Sequence, residues 1–164
     1  MTTTAPDPTQ QELLAIYLTD HLAGAAAGSR RMRRLAKAER DAEDGPLLAR
    51  IADEIESDRL ALRSMLADEG IRLRWYKSAA ARIAEAIGLL KVNGSVFHRS
   101  PLTSVLELEL MRMAVTGKLS LWTALSDTGL ADRYDIDGLI DRAASQLVDL
   151  EAAHKSRTSI IRAR

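Results

Sequence analysis

The chain has 164 residues, 46% of them apolar and only 4% aromatic, which suits a single domain large enough to bury a sizeable core. Lys+Arg and Asp+Glu number 23 each, so formal charge cancels, and a pI near 6.8 offers no general attraction to nucleic acid or to an anionic membrane. Cysteine is absent, which excludes disulfides and suits a cytoplasmic location, and no apolar run reaches the length of about 18 residues that a membrane span requires.

Residues 1–9 begin Met1-Thr2-Thr3-Thr4-Ala5-Pro6-Asp7-Pro8, without the basic and then apolar stretches of a signal peptide, and are expected to be a disordered tail. Residues 10–164 are expected to form one helical-bundle domain. Thr9 followed by Glu12 makes a capping box, predicting a first helix from Gln10 to about Ala42. Asp44-Gly45-Pro46 turns the chain into a second helix that Gly70 ends. Ser100-Pro101 opens a third, running to Asp127 before Gly129, and Asp135 caps a fourth that continues toward Ile160. Between the second and third lies a segment from Ile71 to Arg99, within which Ile83, Ile87 and Leu90 predict a shorter helix over Trp75 to Lys91, stopped at Asn93-Gly94. No period-2 run supports a strand.

Short loops force helices one and two, and helices three and four, to be antiparallel neighbours, while the long segment acts as a crossover that makes helices two and three parallel. At about 100° per residue, helix one is expected to turn Leu13, Tyr17, His21, Gly24, Gly28, Met32 and Leu35 inward. Helix two presents Ile51, Ile55, Asp58, Leu62, Met65 and Leu66, with Glu54 at the edge. Helix three is apolar around most of its circumference and places Glu107 and Lys118 opposite its polar line of Glu109, Arg112, Thr116, Ser120 and Thr123. Helix four presents Ile136, Ile140, Ala143, Leu147, Leu150, His154 and Ile161, with Glu151 toward one edge. Asp58, Glu107, Lys118 and His154 thus stand where leucine is the ordinary choice, and ionisable groups are rarely buried without a partner or a metal. Axial counting brings Glu54, Asp58, Glu107, Glu151 and His154 toward one end of the bundle.

In these features the chain resembles the ferritin-like superfamily. Proteins of that architecture hold two metal ions with single glutamates from two helices and a Glu-x-x-His pair from each of the others. Glu151-Ala152-Ala153-His154 matches such a pair, and Glu107 matches the lone glutamate of a third helix. In the second helix Glu54-Ile55-Glu56-Ser57 has serine in the histidine position, leaving Asp58 nearby, and the first helix offers Met32 or Leu35 where a ligand belongs. The run Tyr17-Leu18-Thr19-Asp20-His21-Leu22-Ala23-Gly24 is also similar to one in actinobacterial proteins of this kind.

The resemblance implies an all-α, ferritin-like four-helix bundle, with an extra helix in the crossover. Its expected role is structural or interactive rather than catalytic, the metal site having decayed into an ion-pair network in which Lys118 neutralises Asp58. The alternative is a metal-binding protein or oxidoreductase holding iron, manganese or zinc on Glu54, Asp58, Glu107, Glu151 and His154. His21 is expected to be a satisfied core histidine. The basic run Arg30, Arg31, Arg33, Arg34, Lys37 and Arg40, followed by Glu39, Asp41, Glu43 and Asp44, is expected to be a solvated helix end and not a nucleic-acid surface. A small-ligand pocket lined by Tyr17, Met32, Met65 and Met111 has only its adaptable side chains to recommend it. The excess of apolar surface, with Trp75, Tyr76, Val92, Val96 and Phe97 in the crossover, predicts a homodimer through the crossover or through the glycines of helix one.

Overall fold

Residues 9–71 and 100–161 are described by the computed structural model; within them the chain is all-α. Residues 1–8 of the tail expected over 1–9, and the expected crossover helix, fall outside the described residues, while Thr9 is the N-cap of the first helix. Four helices, α1 (Gln10–Ala38), α2 (Gly45–Asp68), α3 (Pro101–Ser126) and α4 (Ile136–Arg157), precede a short 3-10 turn, Thr158–Ile161.

Each boundary has a local cause. At the start of α1 the Thr9 hydroxyl accepts from the Glu12 backbone N–H while the Glu12 carboxylate accepts from the Thr9 N–H at 2.7 Å, completing the capping box. The helix stops at Ala38, earlier than expected, and the chain turns so tightly that a Cβ on Gly45 would stand 2.5 Å from the Arg40 carbonyl oxygen. Only glycine fits there. At α2 the Asp44 side chain makes no cap bond, because Arg157 claims its carboxylate. Gly70, at φ 66°, closes α2 in a left-handed conformation with the Ile71 N–H bonded to the Leu66 carbonyl, five residues back. Ser100 and Asp135 cap α3 and α4 through side-chain oxygens that accept from Leu102 and Gly138.

Pairs of side chains set the helix directions. Ser104, at the start of α3, donates to Glu39 at the end of α1, so these two helices are antiparallel. On the other side Arg50 meets Asp149 and Tyr134 meets Glu69, so α2 and α4 are antiparallel too. Since α1–α2 and α3–α4 are hairpins, α2 and α3 run parallel, and residues 72–99 join points at opposite ends of the bundle. Helix α1 packs on α2 and α3, and α4 on α3 and α2; α2 and α3 face each other across one diagonal, α1 and α4 across the other. None of the described helices is long and apolar enough to cross a membrane.

The core is one cluster centred on Leu18, Met32, Leu48, Ile51, Leu66, Leu108, Met111, Trp122, Ala143 and Leu150. Two expected faces are rotated. In α1, Leu13 (51% exposed) and Tyr17 (37%) point outward, and Leu18, Leu22, Ala26 and Ser29 take the inner line. A stripe counted through His21, Gly24 and Gly28 has little apolar area at its centre, so Leu18 and Leu22 win the buried side. In α4 the inner line is Leu139, Ala143, Gln146, Leu150 and Ala153, and Ile140, Leu147 and His154 are half-buried beside it.

A polar tie joins α1 to α2 within this packing. The buried Ser29 hydroxyl donates to Glu56 at 2.5 Å, and Arg59 donates twice to the same carboxylate, at 2.9 and 2.7 Å. These bonds from Arg59 and Ser29 hold the Glu56 carboxyl at about 2, against an ordinary 4.5. Its ionised form is therefore favoured by folding, a contribution present above pH 4.5 and lost as pH falls from there toward 2. Glu56→Gln is expected to flatten this acid limb, which urea unfolding curves over a pH series will measure.

Candidate functional site

Asp58 occupies the centre of the buried stripe of α2, between Ile55 and Leu62, and is 1% exposed. A lone carboxylate at such a position would carry a desolvation cost of several kcal/mol, of the order found for buried ions. The structure compensates it with two cations, one per oxygen. Lys118 of α3 donates from Nζ to Oδ2 at 2.5 Å, and Arg142 of α4 donates to Oδ1 at 2.7 Å. The fully buried Gln146 completes the arrangement: its Oε1 accepts from Lys118 and its Nε2 donates to Glu54 at 3.0 Å. Further out, Arg50 donates to Glu54 at 2.6 Å and to Asp149 at 2.7 Å. Three acids, Asp58, Glu54 and Asp149, therefore interleave with three bases, Lys118, Arg142 and Arg50.

This network grades from dry to wet. The Lys118 side chain is 11% exposed, whereas those of Arg142 and Arg50 are 39% and 48% exposed. Burial pushes the Lys118 pKa down, Asp58 opposes that shift, and the nearby Arg142 adds to it. Hydrogen bonds to Asp149 and Glu54 push the Arg50 pKa up. Lys118 reaches Asp58 across the α2–α3 diagonal, where the two backbones do not approach, so a long flexible stem is needed to span the gap. Lys118 donates to two acceptors, the Asp58 carboxylate and the Gln146 side-chain oxygen. The geometry neutralises and positions charge.

The five residues singled out as metal ligands are not brought together. Glu54 and Asp58 lie in the network just described. Glu151 is exposed and stands 3.4 Å from Arg112, and the His154 Nε2 pairs with Glu109 at 3.1 Å; both contacts are on the outer side of the α3–α4 hairpin. Glu107 is half-buried on α3. Its level follows from two pairings, His154 with Glu109 and Gln146 with Glu54, which set Glu107 about ten residues, roughly 15 Å, along the axis from Glu54. The expected register placed the second and third helices too nearly level, and the rotation of α4 turns His154 aside. Among the described residues no three His, Asp or Glu side chains are grouped so as to hold a metal ion. The donor set also fits a metal poorly, since both oxygens of Asp58 are taken by fixed cations.

His21 packs edge-on against Tyr17, with ring centroids 4.6 Å apart, and burial lowers its pKa against the opposing pull of Asp20. Of the basic run, Arg33 pairs with Glu56 at 3.6 Å and Arg40 with Asp41 at 3.4 Å, while Arg30, Arg34 and Lys37 are exposed. Met32, Met65 and Met111 are core residues, and Tyr17 lies outside with its ring against His21. Arg142, Gln146 and Arg50 escaped the sequence reading. Gln146 had a signal, lying three residues after Ala143 and four before Leu150, the spacing of the buried line. Arg142 and Arg50 had none beyond ordinary surface charge.

Taken together, fold and site define, among the described residues, an all-α bundle of four helices with a neutralised ionic network in its interior. No protein-family model, curated protein or solved structure matches the chain.

Removing one member of the inner pair should strand its partner. Asp58→Ala is expected to lower stability by about 3 kcal/mol or more, because Lys118 is left charged in a dry site. Replacing both groups, as Asp58→Leu with Lys118→Met, is expected to cost far less than the sum of the single changes. Denaturant unfolding of the wild type, both single variants and the double variant will measure the coupling.

Proposed function

We propose that this protein is a non-catalytic helical bundle of the ferritin-like kind, with a structural or interaction role and with an ion-pair network where that architecture carries metals. Two features support the ferritin-like assignment. Helices α2 and α3 run parallel, joined by a connection between opposite ends of the bundle, and one acidic residue, Asp58, enters the interior from α2. The observation that carries the reading is the pair of cations on Asp58: Lys118 and Arg142 supply the positive charge that a bound ion supplies to an inner carboxylate elsewhere. A divalent ion at Asp58 would have to displace both, against Coulomb repulsion in a site nearly closed to water.

The test is elemental analysis of protein purified without chelators, combined with thermal unfolding in added iron(II), manganese(II) or zinc(II). No stoichiometric transition metal and an unchanged melting temperature are expected. Stoichiometric metal that is lost on Glu107→Ala would overturn the proposal in favour of a metal-binding protein or oxidoreductase using Glu54, Asp58, Glu107, Glu151 and His154.

A further inference from the structure

The polar contacts between α2 and α4 keep one order along the whole seam. At the head of α2, Asp44 meets Arg157, and Arg50 then meets Asp149 at 2.7 Å. Glu54 accepts from Gln146 at 3.0 Å and Asp58 from Arg142 at 2.7 Å. At the far end Glu69 accepts from Tyr134 at 3.2 Å and pairs with Arg133 at 2.8 Å. Each step forward on α2 is answered by a nearly equal step back on the other side, as antiparallel helices in one fixed register require. The chemistry is sorted as well. In these pairs α2 and its caps supply the acceptor, and α4 with the loop before it supplies the donor; Arg50 with Asp149 alone reverses the order.

We propose that this seam is a polar zipper that fixes the register of the two hairpins, with Asp58 as its decisive level. Apolar faces fit nearly as well after a slide of one turn, because burial of hydrocarbon is non-directional, whereas this order of charges does not. Moving α4 by four residues one way sets Gly138, which has no side chain, against Asp58. The other way, Gln146 takes the place of Arg142 and Leu150 meets Glu54. A slide of three residues sets Glu54 against Asp149, acid on acid. Lys118 is carried along in every case, since α3 and α4 form one hairpin, and is drawn away from a carboxylate that is 1% exposed. The zipper thus discriminates between arrangements and adds little to the stability of the right one, the use best attested for buried polar groups. It rests on pairings within the chain and is independent of whether a metal or a partner binds.

Distance measurement between two spin labels tests it. The chain has no cysteine of its own, so Ser64→Cys on α2 and Lys155→Cys on α4, both at exposed positions, take the labels cleanly. These sites lie near opposite ends of the bundle, and a slide of one turn changes their separation by about 5 Å. The labelled parent is expected to give a single narrow distance. Making the inner level apolar, with Asp58→Leu, Lys118→Met, Arg142→Met and Gln146→Leu, is expected to leave a helical, cooperatively unfolding protein with at least one further distance displaced by about 5 Å. Removing outer levels instead, with Asp149→Ala and Arg157→Met, should keep the single distance. An apolar variant that holds the parent's single distance overturns the proposal. So does one that fails to fold by circular dichroism, because the network then supplies stability rather than register. More than one distance in the parent, or loss of the single distance in the outer-level variant, overturns it too.

Discussion

Placing the carboxylate of Asp58 in a core otherwise built from leucine, isoleucine and methionine obliges the surrounding helices to answer it. A charge removed from water must be matched by opposite charge at hydrogen-bonding distance, or it unfolds the site or takes up a proton. Both oxygens are answered here, by Lys118 from α3 and by Arg142 from α4. Three of the four helices are thereby tied at one level. No apolar contact does this, because burial of hydrocarbon is indifferent to which methyl meets which.

The position of the network follows from the packing around it. Of the two contacts between hairpins, α1 against α3 is the closer and α2 against α4 the looser. Long polar side chains fill the looser seam: Arg50, Glu54, Arg142, Gln146 and Asp149 span it in a chain of hydrogen bonds from solvent to Asp58. At the end where α1 and α4 finish, a second cluster repeats the device. Arg157 meets Asp44 and Glu39, and Glu39 also accepts from Ser104, so the start of α2 and the start of α3 are tied to the ends of α1 and α4. Glu39 and Asp44, which look like residues of a solvated turn, are held there by their partners.

How far this was legible in the residues depends on how local each cause is. The helix starts at Thr9, Ser100 and Asp135 and the stop at Gly70 were readable because caps and left-handed glycines act within a few residues. So was the pairing of Lys118 with Asp58, since both interrupt apolar lines. Positions around the helix were less legible. Met32 and Leu35 in α1 and Ile136, Ala143 and Leu150 in α4 stand buried where expected, but between them the inner line takes Leu18, Leu22 and Ser29, and Leu139, Gln146 and Ala153, one residue away from the positions expected, because each helix buries an arc against two neighbours and periodicity alone does not locate its centre. That small rotation turns Leu13 and Tyr17 outward and His154 toward Glu109, and it brings in Gln146. Axial register was the least legible, being set by turn lengths and side-chain pairs remote in sequence, such as Gln146 with Glu54.

The network also bears on why the hairpins dock as they do. Two antiparallel helix pairs with broadly apolar faces can slide past one another by a turn and still bury similar area, so packing alone discriminates weakly between registers. A slide of one turn, about 5.4 Å, would carry Asp58 beyond the reach of Lys118 and Arg142 and leave three charges uncompensated in or near the core. That penalty is paid only by the wrong arrangements. Buried ion pairs add little net stability relative to well-packed hydrocarbon, but both bonds to Asp58 are made at hydrogen-bonding distance in this register. In this bundle the bonded groups lie on α2, α3 and α4, so the same contacts that neutralise Asp58 also choose which side of α4 faces α2, and hence which side of the α3–α4 hairpin is left outermost.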